Sequence, residues 1–262
     1  MSGWDADLYL RFADERTRPS VDLTARIEIS DPGTIIDLGC GPGNSTGVLR
    51  QRWPKARITG LDNSPEMIAS ASKSYPDQEW VIGDIATWKA PVPFDVVFSN
   101  AALQWVPGHA VLFPKLFSQV ASGGVLAVQL PAHFNSALHQ EIIETAGDPS
   151  WRHLMEPALN AMTKKPPSFY YELLRPLAVR LYMWQTEYFH VVESHQAIVE
   201  WFRGTGLRPY LSALEDEEQR KRFEELLTEK YKQVYYPQTD GRILFPFRRL
   251  FIVAYKDENP GT

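Results

Sequence analysis

The sequence has little cysteine, no excess of positive charge and no long apolar run, and each shortage excludes a class of protein. Cys40 is the only cysteine among 262 residues, so no internal disulfide forms, and a reducing cytoplasm is the expected compartment. The formal net charge of -5 argues against a nucleic-acid partner, since proteins that coat nucleic acid are usually basic. No apolar run reaches about 18 residues and no basic start precedes an apolar core, so we expect no membrane partner and no secretion signal. The composition leaves the oligomeric state open.

Histidine is scarce as well, and its distribution excludes two further chemistries. The six histidines do not pair at the spacing of a zinc site. No Ser-His-acid set is recognisable from spacing either. The sequence therefore predicts neither a metal centre nor a serine hydrolase. The chain length suits one α/β domain with an insertion.

What the chain does have, near its N-terminus, is a strand, a glycine-rich turn and a helix in succession. The stretch from Thr34 to Gly43 reads TIIDLGCGPG, and its β-branched start is typical of a strand buried on both faces. The next ten residues, 44–53, predict a helix that Pro54 ends. This succession places a ligand that carries a nucleoside against bare backbone at a helix N-terminus.

The spacing of the glycines and one acid narrow the choice of ligand. The turn has Gly39, Gly41 and Gly43, whereas a dinucleotide fingerprint has its third glycine one place later, where Asn44 stands. Asp37 would repel a pyrophosphate, but it would attract an ammonium or sulfonium group. These features favour S-adenosylmethionine over NAD. An NAD-dependent oxidoreductase and a protein that binds the cofactor without turnover stay open as alternatives.

The motif of an acid followed by three alternate glycines resembles that of the seven-stranded (class I) S-adenosylmethionine-dependent methyltransferases. The resemblance implies a doubly wound, Rossmann-like α/β sheet of seven strands. It also implies S-adenosyl-L-methionine as cofactor and S-adenosyl-L-homocysteine as product. The cofactor residues expected from the first motif are Asp37, Gly39, Gly41, Gly43 and Asn44.

Later strand ends supply the other expected cofactor contacts. Asp62 lies about 20 residues beyond the turn, where a carboxylate can accept bonds from both ribose hydroxyls. Met67, in the first turn of the next predicted helix, packs on the adenine face or, alternatively, in the core. In the resembled family an acid at the position of Asp84 takes the adenine amino group. The further cofactor candidates are Asn63, Ile85, Asn100, Ala101 and Gln104.

The organisation expected for the chain is one structural domain in four segments. Residues 1–30 form a helical arm over the site, in which Ser20 caps a helix after Pro19. Residues 31–131 form the cofactor-binding core, residues 132–178 a helical cap inserted after the fifth strand, and residues 179–262 the rest of the core sheet. No residue is a certain catalytic one. Tyr9 and Trp105 are positioning candidates that shape the pocket, with core packing as the alternative for each.

A closer resemblance covers nearly the whole chain. The arm, the Gln104-Trp105 pair and the ending from Phe245 to Phe251 resemble the trans-aconitate 2-methyltransferase family. The resemblance implies a cytoplasmic O-methyltransferase that forms a monomethyl ester on a carboxylate of trans-aconitate or a related small polycarboxylate. The alternative within the same fold is another small acceptor, either a carrier-bound malonyl group or a quinone-type ring.

A small anionic substrate has a simple requirement. Its carboxylate is already ionised at neutral pH, so no general base is needed. Its other charges need cationic donors, preferably arginine forks. The candidates, for each of which an ordinary surface charge is the alternative, are Arg16, Arg18, His133, Arg175, Arg242 and Arg249.

Overall fold

The computed structural model of the protein describes residues 13–258, and the backbone alone for residues 13–16. The described chain forms two compact units. We call residues 13–130, 163–186 and 249–258 the sheet unit, and residues 131–162 and 187–248 the helical unit. The four segments predicted from the sequence have different bounds, and they stay a prediction.

Seven strands form one sheet. Their bounds are β1 Thr34–Leu38, β2 Arg57–Asp62, β3 Glu79–Ile82, β4 Phe94–Asn100, β5 Val120–Pro131, β6 Arg180–Val192 and β7 Ile243–Tyr255. Their order across the sheet is β3-β2-β1-β4-β5-β7-β6, and the first five strands in this order pair in parallel. The predicted seven-stranded α/β sheet is confirmed.

The sequence predicts a fifth strand over residues 125–130 and a last strand over residues 250–255, and both strands are longer in the structure. β5 begins at Val120 rather than at 125, because its two glycines lie within the strand: Gly123 has φ +75°, and the register against β4 shifts between Phe94 and Val96. Glycine at an irregularity inside a strand is typical of a bulge. β7 begins at Ile243 rather than at 250, and its first half alternates between buried and less buried residues at the strand period of two.

The part of the chain that is described contains ten helices. Their bounds are α1 Ala13–Ala25, α2 Asn44–Arg52, α3 Pro65–Ser74, α4 His109–Ser118, α5 Ala137–Ala146, α6 Glu156–Leu159, α7 Pro167–Leu174, α8 His195–Arg203, α9 Arg208–Ala213 and α10 Glu217–Val234. Single 3-10 turns occupy Leu103–Trp105 and Arg152–Leu154. None of the helices within residues 13–258 combines the length and the apolar character needed to cross a membrane.

The predicted cap at Ser20 is wrong. Helix α1 already begins at Ala13 and contains Pro19, so Ser20 lies inside the helix and is fully buried. A proline inside a helix removes one backbone donor, but its fixed φ is compatible with helical backbone. By contrast, Ser64 caps α3 as its sequence position indicates, since its side chain accepts a hydrogen bond from the Met67 amide.

The helical unit has an aromatic core of its own. Trp151, Tyr210, Phe223 and Tyr231 are fully buried there. Trp151 and Tyr231 also satisfy their polar side-chain atoms, since the indole and the hydroxyl donate to backbone carbonyls at 2.9 and 3.1 Å. Burying an aromatic side chain and satisfying its polar atom together favour a single packing arrangement. The unit therefore depends on its own core for stability.

At the start of β1, one carboxylate of the sheet unit fixes the strand that leads to the glycine turn. Asp95 of β4 accepts hydrogen bonds through Oδ2 from the amides of Gly33 and Thr34, at 2.8 and 2.9 Å. The Thr34 hydroxyl adds a third bond at 3.3 Å. Bonds of an amide to an ionised acceptor are stronger than neutral ones. Asp95 therefore sets the position of β1 against β4.

We predict that Asp95→Ala lowers the free energy of unfolding by roughly 1–3 kcal/mol, the cost of losing hydrogen bonds to a charged group. The exposed Asp31 provides the matched control, and Asp31→Ala should change stability by no more than about 0.5 kcal/mol. Urea unfolding followed by circular dichroism measures both. Equal stability of the two variants would contradict this account of β1.

Candidate functional site

The glycine turn after β1 adopts left-handed backbone at all three glycines. The φ angles of Gly39, Gly41 and Gly43 are +73°, +55° and +94°, a region that glycine enters at no steric cost. A Cβ at Gly39 would clash with the Cβ of Ala102, so this glycine also permits close packing. A Cβ at Gly41 would meet no described atom within 4 Å. Bare backbone at Gly41 therefore has no described residue packed against it, as a site for an approaching ligand requires.

Asp62, at the end of β2, holds this turn in place. Its Oδ2 accepts from the Gly41 amide at 3.0 Å, and its Oδ1 accepts from the Ser64 amide at 2.9 Å. Each carboxylate oxygen has a second lone pair, so the carboxylate can still accept from a ligand hydroxyl. The spacing between the turn and Asp62 predicted this proximity. Asn63, the next residue, is exposed.

Asp37 is a fully buried acid within the sheet unit. The hydroxyls of Ser45 and Thr46, at the start of α2, donate to its Oδ2 at 2.6 and 2.7 Å. Its Oδ1 has no hydrogen-bond partner among the described residues. Burial raises the pKa of Asp37 to about 6, although the two hydroxyls oppose the shift. A cation beside Oδ1 would supply the missing interaction.

The predicted adenine contacts differ in exposure. Asp84 is exposed, and its Oδ1 accepts from the Ala86 amide at 2.8 Å. Ile85 is 8% exposed, and Met67 is 3% exposed. The burial of Met67 agrees with the alternative of a core methionine. Contacts of these three residues with a cofactor stay predictions.

The loop after β4 is strained and carries unsatisfied oxygens. Ala101 has φ +54°, and it is the only non-glycine residue with positive φ in the described chain. Its amide donates to the Gln129 carbonyl at 3.0 Å, and its carbonyl accepts from Gln104 Nε2 at 2.6 Å. Asn100 Oδ1 and Gln104 Oε1 are buried and lack a partner within residues 13–258. Strained backbone of this kind concentrates at functional sites.

A buried histidine and tyrosine support this loop. His109 Nε2 lies 2.8 Å from the Leu103 carbonyl, and His109 Nδ1 lies 2.8 Å from the Tyr170 hydroxyl. A carbonyl only accepts, so Nε2 donates, and burial lowers the pKa of His109, which favours a neutral ring whose Nδ1 accepts from the tyrosine. The Thr163 amide donates to the Gln104 carbonyl at 2.7 Å. Trp105, at the end of the same turn, is half-buried.

The six predicted anion-binding residues are distributed among different environments. Arg18, Arg175 and Arg242 are exposed; Arg242 Nε lies 3.4 Å from Glu193 Oε1, and Arg175 donates to the Ala178 carbonyl. His133 is buried in the helical unit, with its ring centroid 4.3 Å from that of Phe247. Roles for these four residues stay predictions.

Arg249 differs from the other arginines, since it is 5% exposed. Its Nη1 donates to Gln129 Oε1 at 3.3 Å within the sheet unit.

The side chain of Arg16 and the whole of Tyr9 lie outside the described residues. Gln129, His109 and Tyr170 were not among the sequence candidates. No local pattern signals them, because their partners are 120 and 61 residues away.

Within residues 13–258, no group of three or more histidine, cysteine, aspartate or glutamate side chains could hold a metal ion. Cys40, the one cysteine, is buried and unbridged, and burial raises the pKa of its thiol. A nucleophilic thiol needs a lowered pKa, so the environment of Cys40 suits a packing role.

Known proteins resemble this chain over almost its whole length. A family model described as a methyltransferase domain matches residues 35–124. A trans-aconitate 2-methyltransferase of Azoarcus sp. (strain BH72) is 45% identical over 256 residues, which cover 98% of this chain and 100% of that protein. One of Klebsiella pneumoniae (strain 342) is 44% identical over 259 residues, covering 98% and 99%. The chain belongs to the trans-aconitate 2-methyltransferase family.

Solved structures agree with this assignment at the level of the fold. The crystal structure of the YcgJ protein from Bacillus subtilis aligns with a TM-score of 0.61 at 14% identity, and the alignment covers 92% of this chain and 100% of that one. A Haemonchus contortus phosphoethanolamine N-methyltransferase 2, in complex with S-adenosyl-L-methionine, aligns with a TM-score of 0.55 at 14% identity, covering 92% and 52%.

Family membership confirms three predictions: the family itself, methyltransferase activity and S-adenosylmethionine as the cofactor. The alternatives of an NAD-dependent oxidoreductase and of a protein without turnover are not favoured. The described residues fit this cofactor, because open space at Gly41 and buried oxygens at Asp37 and Asn100 suit a ligand that carries positive charge and no phosphate. The assignment of individual residues to cofactor contacts stays a prediction.

We predict that Gly41→Ala weakens S-adenosylmethionine binding at least tenfold, because its Cβ enters the space that we assign to the ligand. Gly241→Ala is the matched control: Gly241 also has positive φ, +82°, and no described atom within 4 Å of its Cβ position. Both variants carry the strain of left-handed backbone, about 1–2 kcal/mol. Calorimetric titration of each variant measures the affinity. Equal affinities of both variants would remove Gly41 from the site.

Proposed function

We propose that the protein transfers a methyl group from S-adenosylmethionine to a carboxylate of trans-aconitate, or of a related small polycarboxylate, and forms a monomethyl ester. The observation that carries the proposal is the similarity to relatives named for this acceptor, which extends beyond the cofactor motif to 98% of the chain. The proposal includes action in the cytoplasm, where the free thiol of Cys40 stays reduced.

Residues of the sheet unit would hold the cofactor in the following way. The bare backbone at Gly41 allows close approach, and the Asp62 carboxylate accepts from ribose hydroxyls. The buried oxygens of Asp37, Asn100 and Gln104 accept from, or attract, the cationic methionine portion. When bound, the cofactor supplies a methyl group on a sulfonium that already contains its leaving group.

The chemical step then needs alignment more than acid–base groups. In such a transfer the acceptor carboxylate would be the nucleophile and the thioether of the cofactor would be the leaving group. The products are a neutral ester group and a neutral thioether, and no proton moves. Because the reacting carboxylate is ionised at neutral pH, the protein contributes orientation and exclusion of water. We assign this orientation to the strained Ala101 loop, which His109 and Tyr170 support.

Two other acceptors were open on the sequence alone, a carrier-bound malonyl group and a quinone-type ring. The full-length similarity does not favour either of them. A ring hydroxyl would also need a base beside it. The buried imidazole nearest the loop, His109, has both ring nitrogens engaged, with Leu103 and Tyr170. His109 is therefore poorly suited to serve as that base.

We expect methyl-labelled S-adenosylmethionine to pass its label to trans-aconitate as a base-labile ester. Because the sheet-unit oxygens suit a cation and the acceptor supplies its own nucleophile, no metal or added base should be required. Citrate, cis-aconitate and a malonyl thioester are the comparison acceptors, and liquid chromatography of the labelled product is the measurement. Cofactor binding without transfer to any carboxylic acid would overturn the proposed acceptor.

We also expect affinity for S-adenosylmethionine to fall about tenfold between pH 7 and pH 5, since a carboxyl with a pKa of about 6 is mostly protonated at pH 5. The sign follows from charge: a cation favours the ionised Asp37, so binding near pH 6 releases a proton. Calorimetry in two buffers of different ionisation enthalpy measures this release. Asp37→Asn should bind more weakly and release none. The same pH dependence in Asp37→Asn would assign the titration to another group.

A further inference from the structure

The pairing of the central strands places a row of three polar side chains on one face of the sheet. Asp37 of β1 pairs with Phe98 of β4, and Asn100 of β4 pairs with Gln129 of β5. Partners across parallel strands lie on the same face, as do residues two apart along one strand. The side chains of Asp37, Asn100 and Gln129 therefore share a face near the carboxyl ends of their strands, where open α/β sheets bind ligands.

Arg249 of β7 extends this row to a fourth strand. Its Nη1 donates to Gln129 Oε1 at 3.3 Å, and β7 is the neighbour of β5 in the sheet. An arginine only donates, so Gln129 presents its oxygen to Arg249 and its Nε2 elsewhere. Gln129 is fully buried, and its Nε2 has no hydrogen-bond partner in the described part of the chain.

Hydrogen-bond acceptors and donors lie on different strands of this row of polar side chains. On β1, β4 and the loop that follows β4, the buried atoms that lack described partners are oxygens, namely Asp37 Oδ1, Asn100 Oδ1 and Gln104 Oε1. On β5 the corresponding atom is a donor, Gln129 Nε2, and β7 adds the guanidinium of Arg249. Oxygens suit the cationic cofactor, whereas amide and guanidinium donors suit an anion.

We propose that Gln129 and Arg249 form a subsite for a carboxylate of the acceptor that does not react. Gln129 Nε2 donates to that carboxylate, and Arg249 fixes the amide of Gln129 and supplies positive charge. This inference rests on the proposed function, which it deepens by assigning substrate residues. Neighbouring parallel strands are about 4.8 Å apart, so the subsite on β5 lies one strand away from the Asn100 oxygen that we assign to the cofactor.

Burial suits Gln129 and Arg249 to binding a negatively charged group of the acceptor selectively. Arg249 is 5% exposed and Gln129 is fully buried, and in such surroundings solvent screens an ionic interaction less than at the surface. The adjacent Arg248 is exposed, and its Nη2 lies 3.2 Å from Glu187 Oε1. Arg248 therefore provides a matched control with the same residue type one position away.

The test compares Arg249→Gln and Gln129→Leu with Arg248→Gln in the full chain. Calorimetry measures trans-aconitate binding to each protein loaded with S-adenosylhomocysteine. We expect Arg249→Gln to lower this affinity roughly 10- to 100-fold and Gln129→Leu about tenfold, as loss of charged and neutral hydrogen bonds implies. Affinity for S-adenosylhomocysteine should stay within about threefold of wild type. Arg248→Gln should leave both affinities unchanged.

A specificity ratio separates this role from packing. The probe is crotonate, a monocarboxylate that lacks both of the carboxylates that do not react, and the quantity is the ratio of kcat/KM for trans-aconitate and crotonate. Loss of the subsite should lower the preference for the tricarboxylate. If an Arg249 variant unfolds, the near-isosteric Gln129→Glu provides the test, because its negative charge should weaken trans-aconitate binding at least tenfold.

The outcomes are distinguishable. Wild-type methyl transfer to trans-aconitate with unchanged binding and unchanged specificity ratio in the folded variants overturns the subsite and leaves the proposed function intact. Equal losses for both acids assign Gln129 and Arg249 to packing and likewise overturn the subsite. Absence of both binding and transfer of trans-aconitate in the wild-type protein overturns the proposed function and the subsite together.

Discussion

The site depends on the hydrogen bonds by which the glycine turn after β1 is attached to the end of β2. The amides of Gly39 and Cys40 donate to the Leu61 carbonyl at 2.7 and 3.1 Å, and the Gly41 amide donates to Asp62 Oδ2 at 3.0 Å. Gly39 and Gly41 have left-handed backbone where these bonds form, a conformation that glycine adopts more readily than other residues. The same bonds orient Asp62, so the shape of the turn and the position of its carboxylate are set together.

A buried carboxyl beside this turn is costly in the free protein and useful in the complex. Burial raises the pKa of Asp37 to about 6 even though Ser45 and Thr46 donate to it. A ligand cation would stabilise the ionised form, so part of the cost of burial is offset only on binding. In the binding mode proposed above, the burial of Asp37 links the apolar packing of the sheet to selectivity for a positively charged cofactor.

The sequence was sufficient for features whose signals are local, and it was insufficient for pairings between distant segments. The glycine turn, Asp62 and the cap at Ser64 follow from neighbouring residues, and the structure has them where predicted. The pairing of Gln129 with Arg249 joins positions 120 residues apart, and no periodicity connects them. Six cationic residues were indistinguishable as anion ligands on the sequence because residue type does not reveal burial. Tyr9 lies outside the described residues, so its predicted role is unchanged.

Methyl transfer from a sulfonium to a carboxylate removes both charges. This loss of charge explains why the hydrogen-bond donors on β5 and β7 should lie apart from the oxygens on β1 and β4. Strong bonds to the reacting carboxylate would stabilise the separated charges of the ground state more than the transition state, and they would slow the reaction. Donors are more useful on carboxylates that keep their charge throughout. Gln129 and Arg249 lie on β5 and β7, beyond the oxygens of β1 and β4. A small polycarboxylate could then be held by one end while its other end reacts.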